Sequence, residues 1–349
     1  MTLHLAVEID GDGDHPEAWR RATHPPRELL TPRRVARVAA IAENAGFTLV
    51  TLDDEVLPPA GVAGRVGAIE RAAFVAASTS VLAVAPVVST TYAEPFHVSS
   101  QLATLDHLSA GRAGWVVSAS ADAAAARAWG RPQVPAEGLG NEARDAMTVV
   151  VDLWDSWEDD AVIRDVTTSR YLDRDRLHYI DFTGDTFAVK GPAIVPRPPQ
   201  GRPVVFAPPA LIDAGVNADV ALVSRPTRAT AAARTFVEVE IALDTADATA
   251  EARIAALGGW PNTDRQRYTG TAAGLVAWLA AVHGQVDGVR LHALVLDEDL
   301  AVLSSLVVPS LLEAGVVARP LPGATLRTTL GLPRPVSRFA APSTLAEVR

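Results

Sequence analysis

No cysteine occurs anywhere in the 349 residues. That excludes disulfides, thiolate metal sites and a cysteine nucleophile. Nor is there a basic block: the formal net charge is -10 and the pI about 5.3. Nucleic acid is therefore not expected as the main partner, because phosphate binding needs clustered Lys and Arg. The most apolar window, residues 72–88, is interrupted by Ser78, Thr79, Ser80 and Pro86. It reads as a helix end, a turn and a strand, and no membrane span is expected. The opening MTLHLAVEIDGDGD lacks a basic region followed by an apolar core, so no signal peptide and a cytoplasmic location are expected. Metal-ligand spacings of His, Asp and Glu are missing, and so is a Gly-x-Ser-x-Gly elbow. The Gly-x-Gly at 11–13 opens no helix and is no dinucleotide fingerprint. A cytoplasmic enzyme of small molecules is the class these absences leave.

What is present is alternation. Short β-branched or apolar runs at 3–9, 47–52, 81–88, 113–117, 204–207, 220–223, 236–242 and 288–294 read as eight strands. Between them lie helical patterns, including one from Pro32 to Gly46, one from Gly67 to Ala77 and one from Gly138 to Trp157. A closing helix carries the stripe Leu300, Leu303, Leu306, Val307 and Leu311. Each crossover helix returns the chain in the same direction, which implies a parallel sheet. Eight units in this length predict an α/β fold, a closed (β/α)8 TIM barrel forming a single domain over 1–349. Residues 158–203, rich in charge and then in Pro, predict an excursion before strand five, with a small hairpin in HYIDFTGDTFAVKGP. Residues 315–349 form a Pro- and Gly-rich C-terminal tail.

The stretch that organises the chain is residues 86–120, PVVSTTYAEPFHVSSQLATLDHLSAGRAGWVVSAS. A strand ends in the hydroxyl cluster Ser89-Thr90-Thr91. A helix then starts at Pro95, where its missing N–H costs little. Val98, Leu102, Leu105 and Leu108 mark its sheet-facing side, and Gly111 is placed as a left-handed cap. The next strand ends at Ser118-Ala119-Ser120. One βαβ unit thus sets small hydroxyls at two adjacent strand ends. Asp53-Asp54-Glu55 closes strand two in the same way. In a barrel such ends line the active face.

TTYAEPFHVSSQLATLDHLSAGRAGW and LWDSWEDDAVIRD resemble the bacterial luciferase-like flavin monooxygenases, in the branch of the nitrilotriacetate and dibenzothiophene-sulfone monooxygenases. The resemblance implies reduced FMN delivered by a separate flavin reductase, O2 as co-substrate, and a small organic substrate. Deazaflavin is the second cofactor choice. It assigns Asp54, Thr90, Thr91, Ser118 and Ser120 to the flavin and His97 to catalysis. His15 and Trp19, in a segment similar to the family's G-HP-AWR, fall at the substrate mouth. It also implies a dimer, either a homodimer or a pairing with a homologue. The residues alone leave a second reading open, in which the hydroxyls only cap helices and fill strand ends.

The departures from the family pattern bear on the cofactor. Val116 stands where an asparagine meets the flavin's polar edge, and Glu142 where a tyrosine meets the phosphate or ribose. Pro208-Pro209 follows strand five where the family has QAG-S and its phosphate-binding N–H groups. Those departures motivate an alternative expectation, a flavin-poor, non-catalytic paralogue paired with an active homologue.

Overall fold

A computed structural model of the chain describes residues 2–54, 56–57, 64–229 and 231–340. Glu55 and the end of the tail fall outside this range. Eight strands are parallel and closed on themselves. They are β1 (His4–Glu8), β2 (Leu49–Leu52), β3 (Ala83–Ser89), β4 (Gly114–Ser118), β5 (Val204–Ala207), β6 (Val220–Val223), β7 (Arg234–Leu243) and β8 (Gly288–Ala293). Each pairs with the next in order, and β8 pairs with β1 to complete the ring. All eight expected strands are present. A ninth strand, Gln266–Gly270, adds to the upper half of β7 beside the ring; the sequence reading passed over it.

Helices α1 (Pro32–Ala45), α2 (Ala68–Ser78), α3 (Pro95–Leu108), α4 (Ala123–Ala128) and α5 (Leu139–Asp155) cover the first half of the barrel. Leu5, Val7, Val50, Val84, Val289 and Leu291 point outward into the layer between strands and helices. The alternate residues Ala6, Leu49, Ala85, Val116, Phe206, Leu222 and Phe236 fill the barrel interior. This is the period of two that a strand imposes. Two residues expected on inner helix faces lie outside instead. Leu108 is 60% exposed at the last position of α3, and Leu306 is 55% exposed. Around Leu306 the closing helix widens into a π turn at Leu303–Val307, which rotates the stripe by a fraction of a turn.

The lower interior is closed from beneath by the tail. Leu326, Leu330 and Leu332 pack against the inner residues of the barrel. Arg327 pins this plug through Asp219 (2.8 and 2.9 Å) and the Arg202 carbonyl (2.7 Å). Phe206 and Phe236 meet edge to face above it, with centroids 5.8 Å apart. Gly288 sits directly against the Phe236 ring, where a Cβ has no room. Gly288→Ala is therefore expected to cost about 1–3 kcal/mol by overpacking, read as a lowered urea midpoint. An unchanged midpoint would show that the ring can step aside.

Residues 158–203 carry two small hairpins. The expected one pairs Phe182–Thr183 with Ala188–Val189. The other, Val162–Asp165 with Arg170–Leu172, was not expected. Asp106 and Arg112, at the two sides of the turn after α3, are held separately. Asp106 accepts the Gln200 backbone N–H and side-chain amide (3.1 and 2.6 Å), while Arg112 donates to the carbonyls of Leu82 and Ala76 (2.6 and 2.8 Å). Among the described residues, no helix is long and apolar enough to cross a membrane.

Candidate active site

A cleft of about 870 Å3 opens at the C-terminal mouth of the barrel, where this architecture places its reactive groups. Its walls come from the ends of β1, β2, β3, β4 and β8 and from the loop at 10–19. Beneath it the interior changes from apolar to charged. Strand register sets Glu238 beside Arg290 and Glu8 beside Thr51. Arg290 donates to Glu8 (2.6 Å), to Glu238 (2.9 Å) and to Thr51 Oγ1 (2.9 Å), so one guanidinium links four strands. His292, one inward position higher on β8, lies 3.3 Å from Glu238.

This floor sets the proton affinities. Burial works against ionised Glu238, but the His292 hydrogen bond and the Arg290 charge hold its carboxyl at about 2. Glu8 is likewise held below the ordinary carboxylate range by the charge and hydrogen bond of Arg290, against its burial. His292 is pushed down by burial and by Arg290, which favours the neutral ring. Asp53 behaves oppositely: burial, then Glu8 and Asp10, push it up to about 7. Its side chain keeps 36% of its surface open, and its nearest cation, Arg65 Nη1, is 3.8 Å away.

Of the residues singled out from sequence, five line the cleft: His15, Trp19, Asp54, Ser118 and Ser120. Asp54 also accepts the Ala68 N–H (2.8 Å) and so caps α2 from outside the helix. His15 is buried, with both ring nitrogens on backbone: Nδ1 accepts the Glu17 N–H (3.0 Å) and Nε2 meets Gly259 O (2.6 Å). It fastens the mouth loop. Trp19, 56% exposed, stands at the entrance.

Three others lie elsewhere. Thr90 and Thr91 are buried, with their hydroxyls turned to the chain. Thr90 Oγ1 donates to Ser118 O (3.0 Å), and Thr91 Oγ1 accepts the Ser120 N–H (3.1 Å). They brace the segment that presents the two serines. His97 is exposed on the first turn of α3, away from the lining, with its N–H bonded to Glu94 (2.8 Å). On that turn Pro95 and Val98 take the buried side and His97 the solvent side.

The charged floor was missed from sequence, although a signal exists. Buried parallel strands read as apolar runs. Here β1, β7 and β8 interrupt theirs at every second position with Glu8, Glu238, Glu240, Arg290 and His292. Spacing by two places such groups on one inner face.

A flavin is matched in part. The cleft has the volume of a small-molecule site, about 300–1,000 Å3. Ser118, Ser120 and Asp54 offer donors and acceptors for a ring's polar edge. The phosphate is not matched. Pro208 and Pro209 have no N–H, and the N–H groups of Leu211 and Ile212 turn back to Pro208 O (3.0 and 3.3 Å). Glu142 is half-buried near Tyr92, its carboxyl raised by burial, and Val116 lies in the apolar barrel core.

A closed eight-stranded α/β barrel with a polar cleft at its C-terminal mouth defines a barrel of the enzyme type. The family model described as luciferase-like monooxygenase matches residues 9–259, and the chain belongs to that family. It is 34% identical over 209 residues to N-acetyl-S-(2-succino)cysteine monooxygenase of Bacillus subtilis, covering 58% of this chain and 47% of that protein. It is 32% identical over 222 residues to nitrilotriacetate monooxygenase component A of Aminobacter aminovorans, covering 59% and 49%. The matched stretches thus span about half the length of these curated relatives. Among solved structures, EDTA monooxygenase from Chelativorans sp. BNC1 superposes with a TM-score of 0.81 at 19% identity, covering 96% of this chain and 99% of that one. Riboflavin lyase with modified FMN and riboflavin gives 0.80 at 21%, covering 95% and 96%. These two establish likeness of fold.

Proposed function

We propose that the chain is a flavin-dependent oxidoreductase, a monooxygenase of a small organic molecule. The observation that carries this reading is the cleft of a luciferase-like barrel lined by Asp54, Ser118 and Ser120. When bound, reduced flavin supplies the electrons with which O2 is turned on the substrate. The chain's own residues do the rest. Asp54 and the two serines orient the ring's polar edge, with Thr90 and Thr91 bracing them from behind. Asp53 holds or releases a proton at its carboxyl near neutral pH. The loop fastened by His15 and carrying Trp19 limits water at the mouth. FMN is the first cofactor choice, on family grounds. The relative named component A supports a separate reductase as the source of reduced flavin.

Titration of the purified protein with FMN and with riboflavin, read by flavin fluorescence, tests this. Both are expected to bind, with affinities within about tenfold of each other, because the phosphate finds few donors. Asp54→Ala should weaken both by about tenfold or more, and should cost about 1 kcal/mol of stability for the lost cap on α2. Absence of binding by either flavin at millimolar concentration would overturn the reading.

A further inference from the structure

We propose that the cleft selects small organic cations, so that the substrate class is an organic ammonium rather than a carboxylate. The inference rests on the cleft being the active site, as proposed above; the charge balance decides only what enters it. Among the described residues, seven carboxylates and three guanidiniums line the cleft. Each guanidinium is already engaged. Arg65 bonds Asp10 (2.9 Å), Arg265 bonds Asp14 (2.8 Å), and Arg290 bonds Glu8 and Glu238. Arg65 Nη1, in the cleft lining, has no hydrogen-bond partner, but its guanidinium already lies against Asp10 (2.9 Å) and Asp53 (3.8 Å). His292 is held neutral by burial and by Arg290.

Three carboxylates therefore face the cleft without a guanidinium hydrogen-bonded to them: Asp53, whose nearest guanidinium nitrogen is 3.8 Å away, Asp54 and Asp122. Asp54 and Asp122 accept backbone N–H groups at helix starts. The Asp53 carboxylate accepts no hydrogen bond among the described residues. Burial beside Glu8 and Asp10 raises Asp53, which is itself a sign of excess negative field. An entering carboxylate meets this field and finds no guanidinium free of an aspartate or glutamate partner. An entering ammonium has three donors and finds acceptors at Asp53 and Asp54.

The test uses three probes of similar size, benzylamine, benzyl alcohol and benzoate. They are titrated calorimetrically into the full chain at pH 8, where Asp53 is ionised. Benzylamine is expected to bind at least about tenfold more tightly than benzoate, with the alcohol between them. The preference should shrink at least about threefold in Asp53→Asn and again in about 0.5 M NaCl. Asp122→Asn, at the exposed rim, gives the same direction of change if Asp53→Asn fails to fold. Benzoate binding as tightly as benzylamine overturns the proposal, as does no binding of any probe at about 10 mM. The flavin titration separates the two readings. Flavin binding without cation preference removes this inference alone, whereas cation preference without flavin binding removes the monooxygenase reading and leaves the charge selection standing.

Discussion

Arg290→Met is expected to cost about 3–5 kcal/mol of folding stability at pH 7. The substitution keeps much of the side-chain volume but removes the guanidinium bonded to both Glu8 and Glu238 on the barrel floor. Two buried carboxylates are then left uncompensated, and they respond by taking up protons. The pH dependence follows from the signs. In the unaltered chain Glu238 is depressed from the ordinary 4.5 to about 2, and Glu8 is depressed as well. Their contribution is present above the ordinary value and is lost as pH falls toward 2. In the variant their folded values lie above the ordinary one. Their penalty is then absent at low pH and grows as pH rises through those values. The gap between the two proteins should therefore narrow from pH 7 to about 4.5, read from urea midpoints at both. A gap of equal size at both pH values would mean that the loss comes from packing and not from stranded charge.

Asp299→Asn should cost a similar amount, about 3–5 kcal/mol. Asp299 and Arg253 are both fully enclosed, 2.7 Å apart. The carboxylate also accepts the N–H groups of Leu243 and Val295 (both 2.9 Å). One side chain thus joins the end of β7, the helix Ala250–Ala256 and the helix Leu296–Val302. An amide accepts through one oxygen only and carries no charge for Arg253, so a buried cation and one N–H lose their partner. Because this site lies behind the cleft wall, flavin affinity in the folded fraction should change little. A variant that keeps its urea midpoint but loses flavin would contradict the structural assignment.

The strands were legible because a buried parallel strand is a short apolar run between turns, and eight such runs stand apart in this chain. Helix ends marked by Pro32, Pro95 and Gly111 were legible for a local reason too: proline at a first turn and glycine at a left-handed cap answer to backbone geometry alone. The misplacements at Leu108 and Leu306 come from the opposite case. A helical stripe is projected at a constant angle, and it drifts where a helix reaches its last turn or widens into a π turn. Thr90 and Thr91 read as site residues because they end a strand; only the neighbouring strand β4 reveals that their hydroxyls are taken by Ser118 and Ser120.

By itself, then, the chain's order of residues determined the number of crossovers, their direction and the family, since each depends on near neighbours or on an ordered motif. Closure of the ring brought Glu8 at one end of the chain to Arg290 near the other, and set Asp53 among Glu8 and Asp10. The sign of the cleft's charge depends on which carboxylates find a guanidinium and which do not. That pairing is made across some 280 residues of sequence, between 8 and 290, and only the tertiary structure could decide it.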